Sequence, residues 1–190
     1  MNNSIISGSI GAIAKQNNKS IAESFINAEC IVIIDTSGSM GIHDSLDNNS
    51  RYDAACEQLA QLQNNLPGKI AVLSFSDSVM FNPDGRPFYY GSGTDLAGAL
   101  RFAKIADVPD MRFILISDGE PNDRSSALDI AAQYNNKIDV IYVGSEMSPI
   151  GRDFLEKLAR RSGGTVITAD RAINLLQSAE RLLLKEGGHE

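Results

Sequence analysis

The sequence predicts an α/β domain: a mostly parallel sheet flanked by helices on both faces. Three observations carry this. The run Ile31-Val32-Ile33-Ile34 has no polar alternation, as a strand covered on both sides requires. Similar runs recur between stretches of helical spacing, the alternation that right-handed crossovers between parallel strands produce. Two of them end abruptly in a carboxylate, at Asp35 and Asp118, and the carboxyl edge of an open α/β sheet is where ligands bind.

Taken in order, residues 1–28 form an extension rich in Asn, Ser and Gly that turns amphipathic across Ile21, Ala22, Phe25 and Ile26. That spacing predicts a short helix packed outside the sheet, or a docking segment for a partner. The first buried strand then leads into Asp35-Thr36-Ser37-Gly38-Ser39-Met40-Gly41. Residues 44–49 are polar and turn-rich. Ser50-x-x-Asp53 resembles a capping box with Asp in place of Glu, and Tyr52, Ala55, Leu59, Leu62 and Leu66 follow at helical spacing. Leu66-Pro67-Gly68 ends that helix. Lys69 to Phe75 reads as a second buried strand, and Val79 to Phe81 as a third. So short a turn between them forces an antiparallel hairpin and places the third strand at a sheet edge.

Residues 83–93 read as a loop, followed by a helix carrying Leu96, Leu100 and Ala103 inward. Met111 to Ser117 is another long buried strand, ending in Asp118-Gly119-Glu120-Pro121. A helix over 125–134, a strand over 138–143, a helix over 152–161, a strand over 165–168 and a final helix over 172–184 complete the alternation. Residues 186–190 form a tail. Gly163-Gly164 stops the penultimate helix.

A chain of 190 residues, 43% hydrophobic, buries one sizeable core, so one domain is expected, here over residues 29–185. A net charge of -7 argues against nucleic acid, which rewards clustered Lys and Arg. Cys30 and Cys56 lack the short paired spacing of a zinc site and lie in apolar stretches, so both are expected reduced and buried. No apolar run reaches transmembrane length. Ser7, Gly8, Ser9 and Gly11 interrupt any export-signal core, which makes the cytoplasm the expected location and leaves no membrane role.

The hydroxyls of Ser37, Ser39 and Thr94 and the carboxylates of Asp35 and Asp118 make an all-oxygen set drawn from three loops. Such a set suits a hard divalent cation, Mg²⁺ first, with Mn²⁺ or Ca²⁺ as alternatives. Two carboxylates only balance the ion, and hydroxyls donate weakly. A metal held there stays electrophilic, with room for one more oxygen ligand. Singly, each residue has a structural reading as a cap or a polar loop position. All five at the expected strand ends do not. His43 and His189 are solitary, and Gly91-x-Gly93 lacks the third glycine and the preceding strand of a dinucleotide loop.

Asp35-Thr36-Ser37-Gly38-Ser39, Thr94 in Gly93-Thr94-Asp95-Leu96, and Asp118 in Ser117-Asp118-Gly119-Glu120-Pro121 together resemble the metal-ion-dependent adhesion site of von Willebrand factor A domains. The similarity spans roughly residues 29–185. It implies a Rossmann-like six-stranded sheet of order 3-2-1-4-5-6 with strand 3 antiparallel, ringed by helices. It further implies that Ser37 and Ser39 ligate the metal directly and that Thr94 or Asp118 joins them according to conformational state. Asp35 would hold the serines and a bound water. The implied function is a non-enzymatic, metal-dependent protein-binding module whose cation is completed by a partner's Asp or Glu. In organisation the chain resembles intracellular bacterial relatives that serve in assembly or stress-response complexes, some with AAA+ ATPases.

Two other readings compete. A Mg²⁺-dependent phosphatase of the haloacid dehalogenase type also sets an Asp at the end of its first strand, but it needs a second Asp two residues on as general acid. That position is Ser37, whose hydroxyl is a poor acid, and no G-x-S-x-G elbow is present. The other is a scaffold whose metal only stabilises the fold.

Overall fold

A computed structural model describes residues 5–44, 49–144 and 149–168. Its element order is α1 Ile10–Gln16, α2 Ile21–Phe25, β1 Cys30–Asp35, α3 Arg51–Asn65, β2 Ile70–Phe75, β3 Val79–Phe81, α4 Leu96–Ala103, β4 Arg112–Ser117, α5 Arg124–Ala131, β5 Ile138–Tyr142, α6 Pro149–Ser162 and β6 Val166–Thr168, with 3-10 turns at Gly38–Gly41 and Lys104–Ala106. The helix expected over 172–184 lies outside the described residues, as does most of the polar 44–49 stretch.

The six strands form one sheet of order β3-β2-β1-β4-β5-β6. β3 runs antiparallel to β2, and every other pairing is parallel. This is the expected topology. β1 and β2 are buried along their whole length, which is why their sequences show no alternation. Side chains of β1 nevertheless divide by period two. Ile31 and Ile33 join a core with Leu96 and Leu100 of α4, Ala127 and Ile130 of α5, and Leu155 and Leu158 of α6. Val32 and Ile34 point the other way, into a second core with Met40 and with Ala55, Leu59 and Leu62 of α3.

Two helix starts show how capping chemistry depends on side-chain length. Ser20 and Glu23 form a full capping box on α2: Ser20 Oγ accepts from the Glu23 amide, and Glu23 Oε2 accepts from the Ser20 amide. On α3 the Ser50 hydroxyl accepts from the Asp53 amide at 3.0 Å, but the shorter Asp53 carboxylate meets that hydroxyl at 2.7 Å instead of the Ser50 backbone. α2 also departs from its expected inward face. Ile21, Ala22 and Ile26 are exposed, and only Phe25 packs, edge-on to Phe81 at 5.4 Å.

Helix α1 is an addition to the sequence reading, which took Ser7, Gly8, Ser9 and Gly11 only as interruptions of an export-signal core. Ser9 caps it through the Ala12 amide, and Ile10 and Ala14 are buried. Gly8 lies so close to α3 that a Cβ there would sit 1.9 Å from the Gln63 carbonyl oxygen. This glycine serves close packing between segments. Both cysteines are buried free thiols, and burial pushes Cys30 up to about 12 and Cys56 up to about 11.

Candidate metal centre

Sheet register assembles the carboxyl edge. Ile34 of β1 pairs with Ile116 of β4, so Asp35 emerges beside Ser117, and Ser117 Oγ donates to Asp35 Oδ2 at 2.7 Å. On its other side Asp35 Oδ1 accepts the Ser37 amide at 2.9 Å, which folds the chain back into the Gly38–Gly41 turn. That turn brings the Ser37 and Ser39 hydroxyl oxygens to 3.3 Å from each other. Thr36 locks the loop to β2 by donating its hydroxyl to the Phe75 carbonyl at 2.8 Å.

The second loop is stitched to the first by backbone. The Gly38 amide donates to the Ser92 carbonyl, and the Gly91 amide donates to the Thr36 carbonyl. Thr94, 7% exposed, follows directly. Its amide donates to Asn122 Oδ1 at 3.3 Å, while the Asn122 amide donates to the Thr94 carbonyl at 3.0 Å. Asn122 thereby clamps the Thr94 loop to the loop that follows β4.

Asp118 belongs to that third loop, and its position is set by a tight fit against α6. Gly119 has φ 84°, and a Cβ on it would lie 2.3 Å from the Gly151 carbonyl oxygen, so only glycine meets both demands. Asp118 is 3% exposed. Its Oδ2 accepts from Arg51 Nη1 at 3.1 Å, whereas Oδ1 is buried without a hydrogen-bond partner. A buried, unpartnered carboxylate oxygen is costly unless something positively charged meets it.

Electrostatics point the same way. Burial pushes the Asp35 carboxyl up to about 6, against hydrogen bonds from Ser37 and Ser117 that lower it, with the Asp118 charge adding to the rise. Among the described residues no group of three or more His, Cys, Asp or Glu is placed to hold a metal. Any cation here therefore needs the hydroxyls as well as the two carboxylates. One edge can be compared with a metal shell: octahedral Mg²⁺ with oxygens at about 2.1 Å puts neighbouring ligands about 3 Å apart, and a Ca²⁺ shell about 3.4 Å apart. The Ser37–Ser39 separation of 3.3 Å fits such an edge.

Of the five sequence-derived residues, Asp35, Ser37 and Ser39 share one loop, Thr94 is tied to it by backbone, and Asp118 enters from the neighbouring strand. Three more residues organise the edge without having been singled out. Ser117 orients Asp35, Asn122 clamps Thr94, and Arg51 pairs with Asp118. A small hydroxyl residue at the last position of a buried strand was a usable signal for Ser117. Arg51 looked like an ordinary first-turn residue.

No family model and no curated protein matches the chain. Solved structures do. It is similar to a von Willebrand factor type A protein from Catenulispora acidiphila, with TM-score 0.62 and 19% identity over 85% of this chain and 43% of that one. It is also similar to a point mutant of the PilB minor pilin from Streptococcus sanguinis, with TM-score 0.61 and 15% identity over 80% of this chain and 59% of that one. The manganese-loaded TRAP protein of Plasmodium vivax gives TM-score 0.53 and 14% identity over 79% and 72%. The chain spans less than two thirds of the first two structures' own length. These likenesses establish the fold, which is von Willebrand factor A-like.

Proposed function

We propose that this domain is a metal-dependent protein-binding module without catalytic activity, and that Asp35, Ser37, Ser39, Thr94 and Asp118 hold its divalent cation. The observation that carries this reading is Asp118 Oδ1, a buried carboxylate oxygen with no donor, at the edge where the two serine hydroxyls stand at ligand spacing. A manganese-loaded protein of the same fold adds support for a cation of this class. When bound, Mg²⁺ or Mn²⁺ would supply an electrophilic centre able to accept one further oxygen ligand.

The chain's own residues do the rest. Asp35 fixes the serine loop through the Ser37 amide, and Ser117 fixes Asp35. Two carboxylates neutralise the ion without saturating it, which leaves attraction for the Asp or Glu of a partner. Phe88, Tyr89 and Tyr90 are exposed on the loop that precedes Thr94, and Tyr89 reaches the serine loop by donating its hydroxyl to the Gly38 carbonyl at 3.1 Å. They supply the flanking contact area that would select among acidic partners. Two buried free thiols suit a reducing compartment, and we place the protein in the cytoplasm. No helix among the described residues is long and apolar enough to cross a membrane.

The test is a pull-down with the tagged chain in Mg²⁺, in EDTA, and with Asp35→Ala. A protein retained only by the wild type in Mg²⁺, and released by free aspartate-containing peptide, is the expected result. Retention indifferent to metal and to the mutation would move the interface elsewhere and leave the cation a stabilising part of the fold.

A further inference from the structure

We propose that Arg51 is a resident counter-ion of the cation site, which holds Asp118 in the metal-free protein and opposes the entry of a divalent metal. This rests on the reading above that Asp118 faces a metal. Arg51 is the first residue of α3, and its place is fixed twice over. Ser50 caps the helix, and the Arg51 amide donates to the Ile42 carbonyl at the end of the serine loop. Its guanidinium, 11% exposed, then spans two carboxylates. Nε and Nη2 form a fork on the two oxygens of Asp44, at 2.9 and 2.5 Å, and Nη1 reaches Asp118 Oδ2 at 3.1 Å.

The two attachments are unequal. The Asp44 pairing is bidentate and planar, the stronger and more directional kind, while Asp118 receives one bond. A metal meeting the unpartnered Oδ1 would compete with Arg51 for the charge of the same carboxylate, and the single bond to Oδ2 is the attachment the guanidinium can loosen while it stays paired with Asp44. Charge follows the same logic. Asp35, Asp44 and Asp118 carry three negative charges against one on Arg51, and a divalent ion completes neutrality. Without Arg51, the buried Asp118 carboxylate would stand uncompensated whenever metal is absent. The arginine thus compensates Asp118 in the metal-free site and raises the concentration at which a cation binds.

Calorimetric titration of the whole chain with Mn²⁺ tests this, using wild type, Arg51→Gln, Asp44→Asn and the double variant. Arg51→Gln should bind Mn²⁺ at least about tenfold more tightly, the equivalent of the charge-assisted bond it removes. Asp44→Asn frees the fork to close on Asp118 and should weaken binding several-fold, but only while Arg51 is present. Its effect should vanish in the Arg51→Gln background, which a direct attraction of Asp44 for the metal would not allow. Equal or weaker Mn²⁺ binding by Arg51→Gln overturns the proposal while the metal site stands. If Arg51→Gln fails to fold, unchanged or tighter binding by Asp44→Asn overturns it instead. Absence of Mn²⁺ binding in wild type and Arg51→Gln alike removes the metal reading and the counter-ion together.

Discussion

The two edges of the sheet treat their buried carboxylates in opposite ways. Asp107, ahead of β4 at the amino edge, has both oxygens occupied: Oδ2 accepts from the Asn135 amide at 2.7 Å and Lys104 Nζ at 3.3 Å, and Oδ1 accepts from the Asn136 amide at 3.1 Å and its side chain at 2.8 Å. Burial alone would raise its pKa, but the Asn135, Asn136 and Lys104 donors outweigh that and hold it below the usual range. At the carboxyl edge Asp35 is driven up by burial, and Asp118 keeps one oxygen with no donor at all. A carboxylate surrounded by donors builds the fold. One whose donors do not offset its burial, or that keeps an oxygen undonated, is what the proposed metal reading draws on.

The largest expected effect belongs to the amino edge. Asp107→Ala removes four bonds to a charged group and strands the Asn135 and Asn136 amides, so urea melts at pH 7 should show about 3 kcal/mol of lost stability. The sign with pH follows from the lowered folded pKa. Asp107's contribution is full above the unfolded value near 3.8 and disappears as pH falls through the folded value, so wild type and variant should converge in strong acid. Mn²⁺ affinity should be unchanged, and a changed affinity would erase the distinction between the edges.

Next comes Asp35→Asn. Ionised Asp35 with a folded pKa of about 6 costs about 3 kcal/mol at pH 7 relative to an unfolded value of 3.8. The neutral, isosteric amide should therefore leave the metal-free protein as stable as wild type or more so. The rise in melting temperature produced by Mg²⁺, worth about 2.7 kcal/mol at a hundredfold excess over Kd, should vanish. A metal-free protein destabilised as severely as Asp107→Ala would instead class Asp35 with the structural carboxylates. Smallest is Thr94→Ala, which keeps the Asn122 backbone clamp and should weaken Mn²⁺ no more than about tenfold by calorimetry.

The sheet was legible because β1, β2 and β4 each hold at least four consecutive apolar residues, and the three-residue turn at 76–78 dictates the antiparallel edge. Positions 35, 37, 39, 94 and 118 were legible because each follows or opens a recognisable element. Helix α1 was not, since Gly8 and Gly11 read as breaks when their lack of a side chain is what lets the segment lie against Gln63 and Pro83. Arg51 was hidden for a different reason. Its partner Asp118 is 67 residues away, and no local pattern records a pairing that only the sheet order creates.

The bond from Ser117 to Asp35 closes 82 residues of chain and waits on the pairing of β1 with β4. A separation of that length leaves the candidate pocket without a local precursor, so it exists only once β1 and β4 have paired. A ligand that recognises only the finished pocket does little to hasten its formation and acts on escape from it. On the proposed reading, a bound cation would act as a brake on unfolding, and its effect would be read in the lifetime of the folded state.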